Sequence, residues 1–421
     1  MMNKIEFLNA VNKNIRSREA REKVSKELEQ HIKQTTDELQ NQGIPLTEAE
    51  LKAVEQMGSP LTLGAKFNQL YKPKMDWVLA ILFLVALGLG VLPLIVLGNS
   101  FHHLKWGSKI AGMIAGIVIV FGLQLVNYKS WEKRGMYFYI FATTVLLIAL
   151  NAQHFFPFML YINGRPYFKF GPFLTDASIV LPIYLVAWSS FFVNSKIKLW
   201  MLGILFFPSL ILLLNTSNLT IVGIYVVMVM VMFWFSGRSH ILRTSLVMAI
   251  IGAGALFFIW SNSHELQKRF SAFLFPYNDP NSAGFMAIRA KDILSEAKWG
   301  FQAIPKDGLL IPGSHADLVL LSLTYSLGWG FSLILLALLS VIIIKMALTS
   351  ANITTLFGKL LVIGGMTIYA VQLLYNVGMI FGLFPIAGMS LPFISYGTIP
   401  ILINSIVIGL SLSIYRRKAF V

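Results

Sequence analysis

The sequence predicts an all-α polytopic membrane protein of about ten transmembrane helices with a small cytoplasmic helical domain in front. Three observations carry that prediction. Apolar residues make up 56% of the 421 positions and charged residues only 13%, a balance outside the soluble range. From residue 72 onward the apolar residues fall into runs near the ~20 residues that cross a bilayer as helix. Before that point the chain is charged, and its apolar residues recur with a helical period.

The charge and cysteine content narrow the function classes. A formal net charge of +15 would suggest a nucleic-acid partner in a soluble protein. Here most Lys and Arg lie between apolar runs, where they act as topology anchors, and no nucleic-acid partner is expected. The absence of cysteine excludes disulfides, thiolate metal sites and Cys nucleophiles. Lys4, Glu6, Lys13 and Arg16 precede any long apolar run. That is not the layout of a cleavable signal peptide, so the first span is expected to target the chain.

Residues 1–71 are expected to form the prefix domain. Val24, Leu28 and Ile32 repeat at helical spacing among Lys, Glu and Gln, and Gly43 ends that helix. Thr47 and Glu50 fit a capping box for a second helix carrying Leu51, Val54 and Met57. Ser59 and Pro60 supply an N-cap and first position for a third. Three short amphipathic helices can pack as a bundle, and His31 reads as a helix-surface residue. The wording around Glu27, Leu28 and His31, Thr47 to Glu50 and Met57 to Pro60 resembles a helical prefix domain found ahead of some bacterial permeases.

Residues 72–421 form the transmembrane domain, with spans beginning near residues 76, 107, 135, 176, 198, 219, 241, 317, 355 and 395. Basic residues test the count. Lys72, Lys74, Lys129, Lys133, Arg134, Lys196, Lys198, Arg238, Arg243, Lys345, Lys359, Arg416, Arg417 and Lys418 all fall on one side. The other short loops hold only Lys105, Lys109, Arg165 and Lys169. By the positive-inside tendency both termini are cytoplasmic, and a large loop of about residues 261–316 lies outside. There is no fixed-period repeat and no Walker or dinucleotide fingerprint. Gly112 and Gly116 match GxxxG and are expected to pack helices within the chain.

The stretch Leu383–Thr398 is apolar enough for a membrane yet broken by Pro385, Pro392, Gly388 and Gly397. Proline removes an amide donor and glycine admits backbone angles closed to other residues, so no straight helix runs through it. Two readings stand on the residues alone: a re-entrant or helix-end segment walling a site, or an ordinary loop between two spans. Asp317 likewise stands at the outer boundary just before an apolar run, either as an N-cap or first-turn carboxylate or as a catalytic one.

The residues Gly382 to Gly397 closely resemble the GxxPxxGxxLPFxSYG signature of the shape, elongation, division and sporulation (SEDS) family. The resemblance covers roughly residues 72–418 and implies the family's ten-helix fold, with its large outer loop between helices seven and eight. It also implies the family's activity: polymerisation of lipid-linked peptidoglycan precursor at the outer face of a bacterial cytoplasmic membrane, in cell-shape, division or sporulation wall synthesis. A penicillin-binding-protein transpeptidase is the partner it implies, and membrane lipids surround the chain. The segment Ile311–Asp317 matches the family's Pro-Glu-x-His-Thr-Asp-Phe motif through Pro312, His315 and Asp317, which gives Asp317 the place of the proposed catalytic residue. Arg269, with Phe270, the Phe275–Pro280 run, Gly284 and Phe285, resembles the family's Arg-containing loop. Arg269, His315, Pro392, Ser395, Tyr396 and Gly397 are therefore the expected substrate-binding residues.

The chemistry fits those residue types. A sugar hydroxyl is a weak nucleophile, and a partly desolvated Asp317 can take its proton as general base. The leaving undecaprenyl pyrophosphate needs cations, from Arg269 and its neighbours Lys268, Arg289, Lys291, Lys298 and Lys306 or from a divalent metal such as Mg. No HExxH or comparable ligand set is present, and no metal is assigned. Gln372 and Asn376 share a helix face and suit interhelical hydrogen bonds or a lipid path. Several positions where the family carries carboxylates are changed, among them Ile179, Gly313 and the run Thr324–Gly328, and Pro182 stands at a family Lys position. A non-catalytic scaffold for wall synthases and a lipid-linked precursor transporter remain as alternatives.

Overall fold

The computed structural model describes residues 2–72, 75–97, 106–151, 159–162, 165–170, 173–216, 218–237, 264–282, 284–304, 309 and 311–418. The chain divides into two compact units: the N-terminal segment up to Met75 together with the C-terminal residues from Tyr415, and Asp76–Ile414.

The N-terminal unit contains four helices rather than the three expected: α1 Lys4–Lys13, α2 Arg18–Asn41, α3 Leu46–Gln56 and α4 Pro60–Leu70. The added helix, α1, has a full capping box between Asn3 and Glu6, which satisfies amide donors at its start. The capping box expected at Thr47 and Glu50 does not form. Pro45 is the N-cap of α3 and makes no side-chain cap bond, which puts Thr47 inside the helix. Ser59 and Pro60 do open α4, and Gly43, at φ 89°, follows the end of α2. The predicted stripe Val24, Leu28 and Ile32 is buried with Phe7, Val11, Ile15, Ala53 and Val54 as one apolar core. Burying a Val, Leu, Ile or Phe side chain contributes about 1.5–3 kcal/mol, and this core is what holds short helices that would be marginal alone.

Among the described residues of the larger unit, six helical segments are long and apolar enough to cross a membrane: Trp77–Leu97, Trp106–Leu125, Tyr128–Asn151, Val319–Ala351, Leu356–Ile380 and Thr398–Arg416. Ala177–Val193, Leu199–Asn215 and Leu219–Phe235 are shorter apolar helices. Their starts follow the predicted spans closely, and the span expected near residue 241, with Arg238 and Arg243, lies outside the described residues, as do Lys74, Lys105 and Lys306. The chain is a multi-pass membrane protein. In element order, α5 Trp77–Leu89, α6 Leu92–Leu97, α7 Trp106–Leu125 and α8 Gly135–Asn151 lead to a three-stranded antiparallel sheet. Its strands are β1 Met159–Ile162, β2 Arg165–Phe170 and β3 Phe173–Asp176, with Ile162 opposite Arg165 and Phe170 opposite Phe173. This sheet is an addition to the expected all-helical chain. The Asn163-Gly164 dipeptide between β1 and β2 is the sequence that favours two-residue hairpins.

The remaining elements are α9 Leu181–Val193, α10 Leu199–Asn215, α11 Leu219–Phe235, α12 His264–Leu274, α13 Phe285–Glu296, α14 Val319–Ala351, α15 Leu356–Ile380 and α16 Thr398–Arg416. Helix α14 is broken at Gly328, whose φ of 88° is not helical. The segment before α14 runs across that break: Trp329 N donates to Lys298 O at 3.0 Å and Gln302 N to Ser326 O at 2.8 Å. A Cβ on Gly328 would lie 2.4 Å from Trp299 O, so only glycine admits the crossing. Gly112 and Gly116 let α7 approach α16, where Thr398 and Ser405 would meet any added Cβ at 2.6 Å each. The GxxxG pattern thus packs helices within the chain, as expected.

Candidate active site

The site is built from two irregular segments that end helices. The first is the turn before α14. Gly313, at φ 76°, bends the chain so that Ala316 N and Leu318 N both donate to its carbonyl at 2.9 Å. Helix α14 then starts at Val319 with Leu318 as its N-cap and no side-chain cap bond. Asp317 therefore does not act as the N-cap. Its half-buried side chain precedes the cap, at the positive end of the helix dipole.

The second segment is the break between α15 and α16. No regular helix runs from Leu383 to Gly397, as the prolines and glycines require. Met389, Leu391, Phe393 and Ile394 within it are buried, so this backbone is packed in protein rather than exposed as an ordinary loop. Phe393 adopts a positive φ of 63°, a conformation that costs an L-residue about 1–3 kcal/mol and persists only where its surroundings enforce it. Its ring is held edge-on against Phe83 at 5.4 Å and tilted against Tyr369 at 6.1 Å.

Hydrogen bonds join the two segments. Tyr396 N donates to His315 O at 3.0 Å, and Ser395 Oγ donates to Ala316 O at 2.7 Å. Asn376 Nδ2, on α15, donates to Asp317 O at 2.8 Å and to Met389 O at 2.6 Å. Ser390 Oγ lies 3.4 Å from Asp317 Oδ1, and the rings of His315 and Tyr396 meet edge-on at 5.9 Å. Thr220 Oγ1, in the first turn of α11, reaches Gly388 O at 3.2 Å.

The fold thus brings together Asp317, His315, Pro392, Ser395, Tyr396 and Gly397. Pro392 and Ser395 are buried, and Ser395 is engaged in shaping the turn, accepting from Leu391 N at 2.7 Å while donating to Ala316 O. His315, Asp317, Tyr396 and Gly397 are half-buried. Arg269 is exposed on α12, and Tyr375 on α15 donates its hydroxyl to Pro385 O at 3.0 Å. Arg289 instead reaches Leu309 O at 3.4 Å. Among the described residues no three His, Asp or Glu side chains gather as a metal-binding group.

Two residues carry more of the geometry than their sequence context announced. Asn376 was expected to bond between helices or line a lipid path, yet it fixes the backbone of Asp317; its neighbour Gln372 makes the interhelical bond, accepting from Asn404 Nδ2 at 3.0 Å. Lys109 was read as one of the few basic residues on the outer side. It is 2% exposed inside α7, and Nζ donates to Phe393 O, Ile394 O and Ser395 O at 3.1, 3.3 and 2.7 Å. Hydrogen bonds from a charged donor contribute roughly 1.5–3 kcal/mol each, set against the several kcal/mol that desolvating an ammonium costs. A lone lysine inside an apolar run was the available signal.

Fold and site together define a polytopic helical membrane protein with a carboxylate held between two broken helix ends. Residues 73–419 match the family model described as cell cycle protein, FtsW/RodA/SpoVE, and the chain belongs to that family. It is 23% identical over 340 residues to stage V sporulation protein E of Bacillus subtilis, covering 76% of this chain and 89% of that one. To a probable peptidoglycan glycosyltransferase FtsW of Nitrosomonas europaea it is 26% identical over 385 residues, 85% of this chain and 97% of the relative. To the peptidoglycan glycosyltransferase MrdB of Escherichia coli K12 it is 25% identical over 326 residues, 74% and 85% of the two chains. Its fold resembles a chain from a structure of a peptidoglycan synthase complex, with a TM-score of 0.66 and 21% identity over 82% of this chain and 98% of that one. It also resembles the rod shape determining protein RodA of Thermus thermophilus, with a TM-score of 0.57 and 18% identity over 82% and 97%.

Proposed function

We infer that this protein is a peptidoglycan glycosyltransferase that polymerises lipid-linked disaccharide precursor at the outer face of the bacterial cytoplasmic membrane. The observation that carries the reading is the pairing of two segments far apart in sequence, which sets the half-buried Asp317 beside Ser390 and fixes its backbone through Asn376. Relatives named as peptidoglycan glycosyltransferases support the same reaction class.

In this reaction Asp317 takes the proton from a sugar hydroxyl as that oxygen attacks the anomeric carbon of a second lipid-linked sugar. A new glycosidic C–O bond forms, the C–O bond to phosphate breaks, and the electron pair leaves on undecaprenyl pyrophosphate. Arg269, on α12, supplies positive charge for the leaving group, and His315 and Tyr396 border the sugar. Both termini are cytoplasmic and the segment of about residues 261–316 is outside, a reading supported by the distribution of basic residues among the loops. A transpeptidase of the penicillin-binding class is the partner.

Asp317→Asn keeps the size of the side chain and one acceptor oxygen but removes the base. Purified variant is expected to match wild type in thermal unfolding and to lose ~10²–10⁴-fold of the polymerisation rate. Activity surviving the change would exclude Asp317 as the base. A scaffold reading has one specific observation behind it. Thr324 and Ser326, in a run where the family resemblance leads one to expect carboxylates, bond within their own helix to Leu320 O and Ser322 O, each at 2.7 Å. Under that reading wild type, with its transpeptidase present, makes no glycan.

A further inference from the structure

Lys109 lies near the start of α7, and its ammonium meets three successive carbonyls of the broken segment, those of Phe393, Ile394 and Ser395. An ammonium has three N–H donors and no acceptor, so each donor has a partner. The turn is shaped to present those oxygens together. Phe393 adopts a positive φ and Ile394 N donates back to Pro392 O at 2.8 Å, which draws the following carbonyls to one side. Gly90, just after α5, leaves the space: a Cβ there would lie 2.4 Å from Phe393 O and 3.3 Å from Lys109 Nζ.

The bonded turn leads directly into the site. Ser395, whose carbonyl binds Lys109, donates its hydroxyl to Ala316 O, and the next residue, Tyr396, donates its amide to His315 O. Asp317 follows these two acceptors in the chain. We propose that Lys109 is a positioning residue of the active site: by gathering the carbonyls of Phe393–Ser395 it fixes the turn that holds His315 and Ala316, and thereby sets the position of the Asp317 carboxylate. Gly90 is part of the same device, since it admits the turn to the lysine. The activity arm of the test rests on the glycosyl-transfer reading; the exchange arm does not.

The experiment compares wild type with Lys109→Met, Lys109→Gln and Gly90→Ala as full-length protein in lipid nanodiscs. Methionine keeps the length and apolar bulk but donates nothing, glutamine restores two N–H donors, and Gly90→Ala displaces the turn with the lysine intact. Amide hydrogen exchange is read over residues 389–397 and 313–318, with the N-terminal bundle as internal reference. Exchange is expected to rise in both segments for Lys109→Met and Gly90→Ala, less for Lys109→Gln, and to stay unchanged in the bundle. With labelled lipid-linked disaccharide, kcat is expected to fall by about 10²-fold in Lys109→Met, the scale of a misplaced catalytic group, with KM within about 3-fold and partial recovery in Lys109→Gln. Unchanged exchange in residues 313–318 of Lys109→Met overturns the proposal. So does a loss of kcat that only tracks the folded fraction, with glutamine no better than methionine. If wild type itself makes no glycan, the glycosyl-transfer reading fails, and the exchange result alone decides the role of Lys109.

Discussion

Asn376 shows how one side chain can fix a site it never enters. Its amide donates to Asp317 O and Met389 O, so a single group ties the backbone of the candidate base to that of the broken segment. Replacing it by leucine of similar size leaves two buried carbonyls without that donor, at a cost of about 1–3 kcal/mol for each acceptor left unsatisfied. Asn376→Leu is expected to lower the thermal midpoint in calorimetry and to depress glycan synthesis beyond the loss of folded protein. Activity equal to wild type per folded molecule would mean that the Asp317 backbone needs no such tether. At this scale the sequence was informative about identity and silent about geometry. Asp317, His315, Ser395 and Tyr396 were legible because their residue types sit in two long, specific motifs. That Ser395 would bond Ala316 O, or that Lys109 would cap a turn 284 residues or more away, depends on long-range packing that no local pattern encodes.

Among the elements, the broken helices matter most. The interruption between α15 and α16 was legible, because Pro385, Pro392, Gly388 and Gly397 each forbid or release a backbone state. The break inside α14 was not, since one glycine in an apolar run is compatible with a continuous membrane helix. What demands the break at Gly328 is the backbone at Lys298–Gln302, which takes up Ser326 O and Trp329 N. Gly328→Ala would force a side chain to within 2.4 Å of Trp299 O at a φ of 88°. The backbone conformation alone costs about 1–3 kcal/mol, and the steric contact adds to it. The variant is expected to unfold at lower temperature and to expose residues 298–302 to protease, whereas an unchanged midpoint and cleavage pattern would show that the crossing is dispensable. The sheet Met159–Asp176 and helix α1 went unpredicted for a related reason: both are short, and their signals, a two-residue turn and an Asn3–Glu6 cap, are local and easily lost beside long apolar runs.

For the whole molecule, the order of spans and loops was legible because hydropathy and basic residues act on stretches of ~20 residues and do not depend on side-chain packing. The absence of cysteine makes the resulting orientation directly measurable. Asn278→Cys in the outer loop is expected to react with a membrane-impermeant maleimide on intact spheroplasts, and Ser195→Cys, beside Lys196, only after lysis. The reverse pattern would invert the chain and put Asp317 on the cytoplasmic side. With the orientation established in this way, what is left to test is whether this chain itself joins lipid-linked disaccharides through Asp317. The direct test is gel-resolved polymerisation of labelled precursor by purified wild type and Asp317→Asn, each with and without the cognate transpeptidase. The account predicts glycan chains from wild type and none from Asp317→Asn at equal folded protein. Glycan from both, or from neither with an active transpeptidase present, would contradict it.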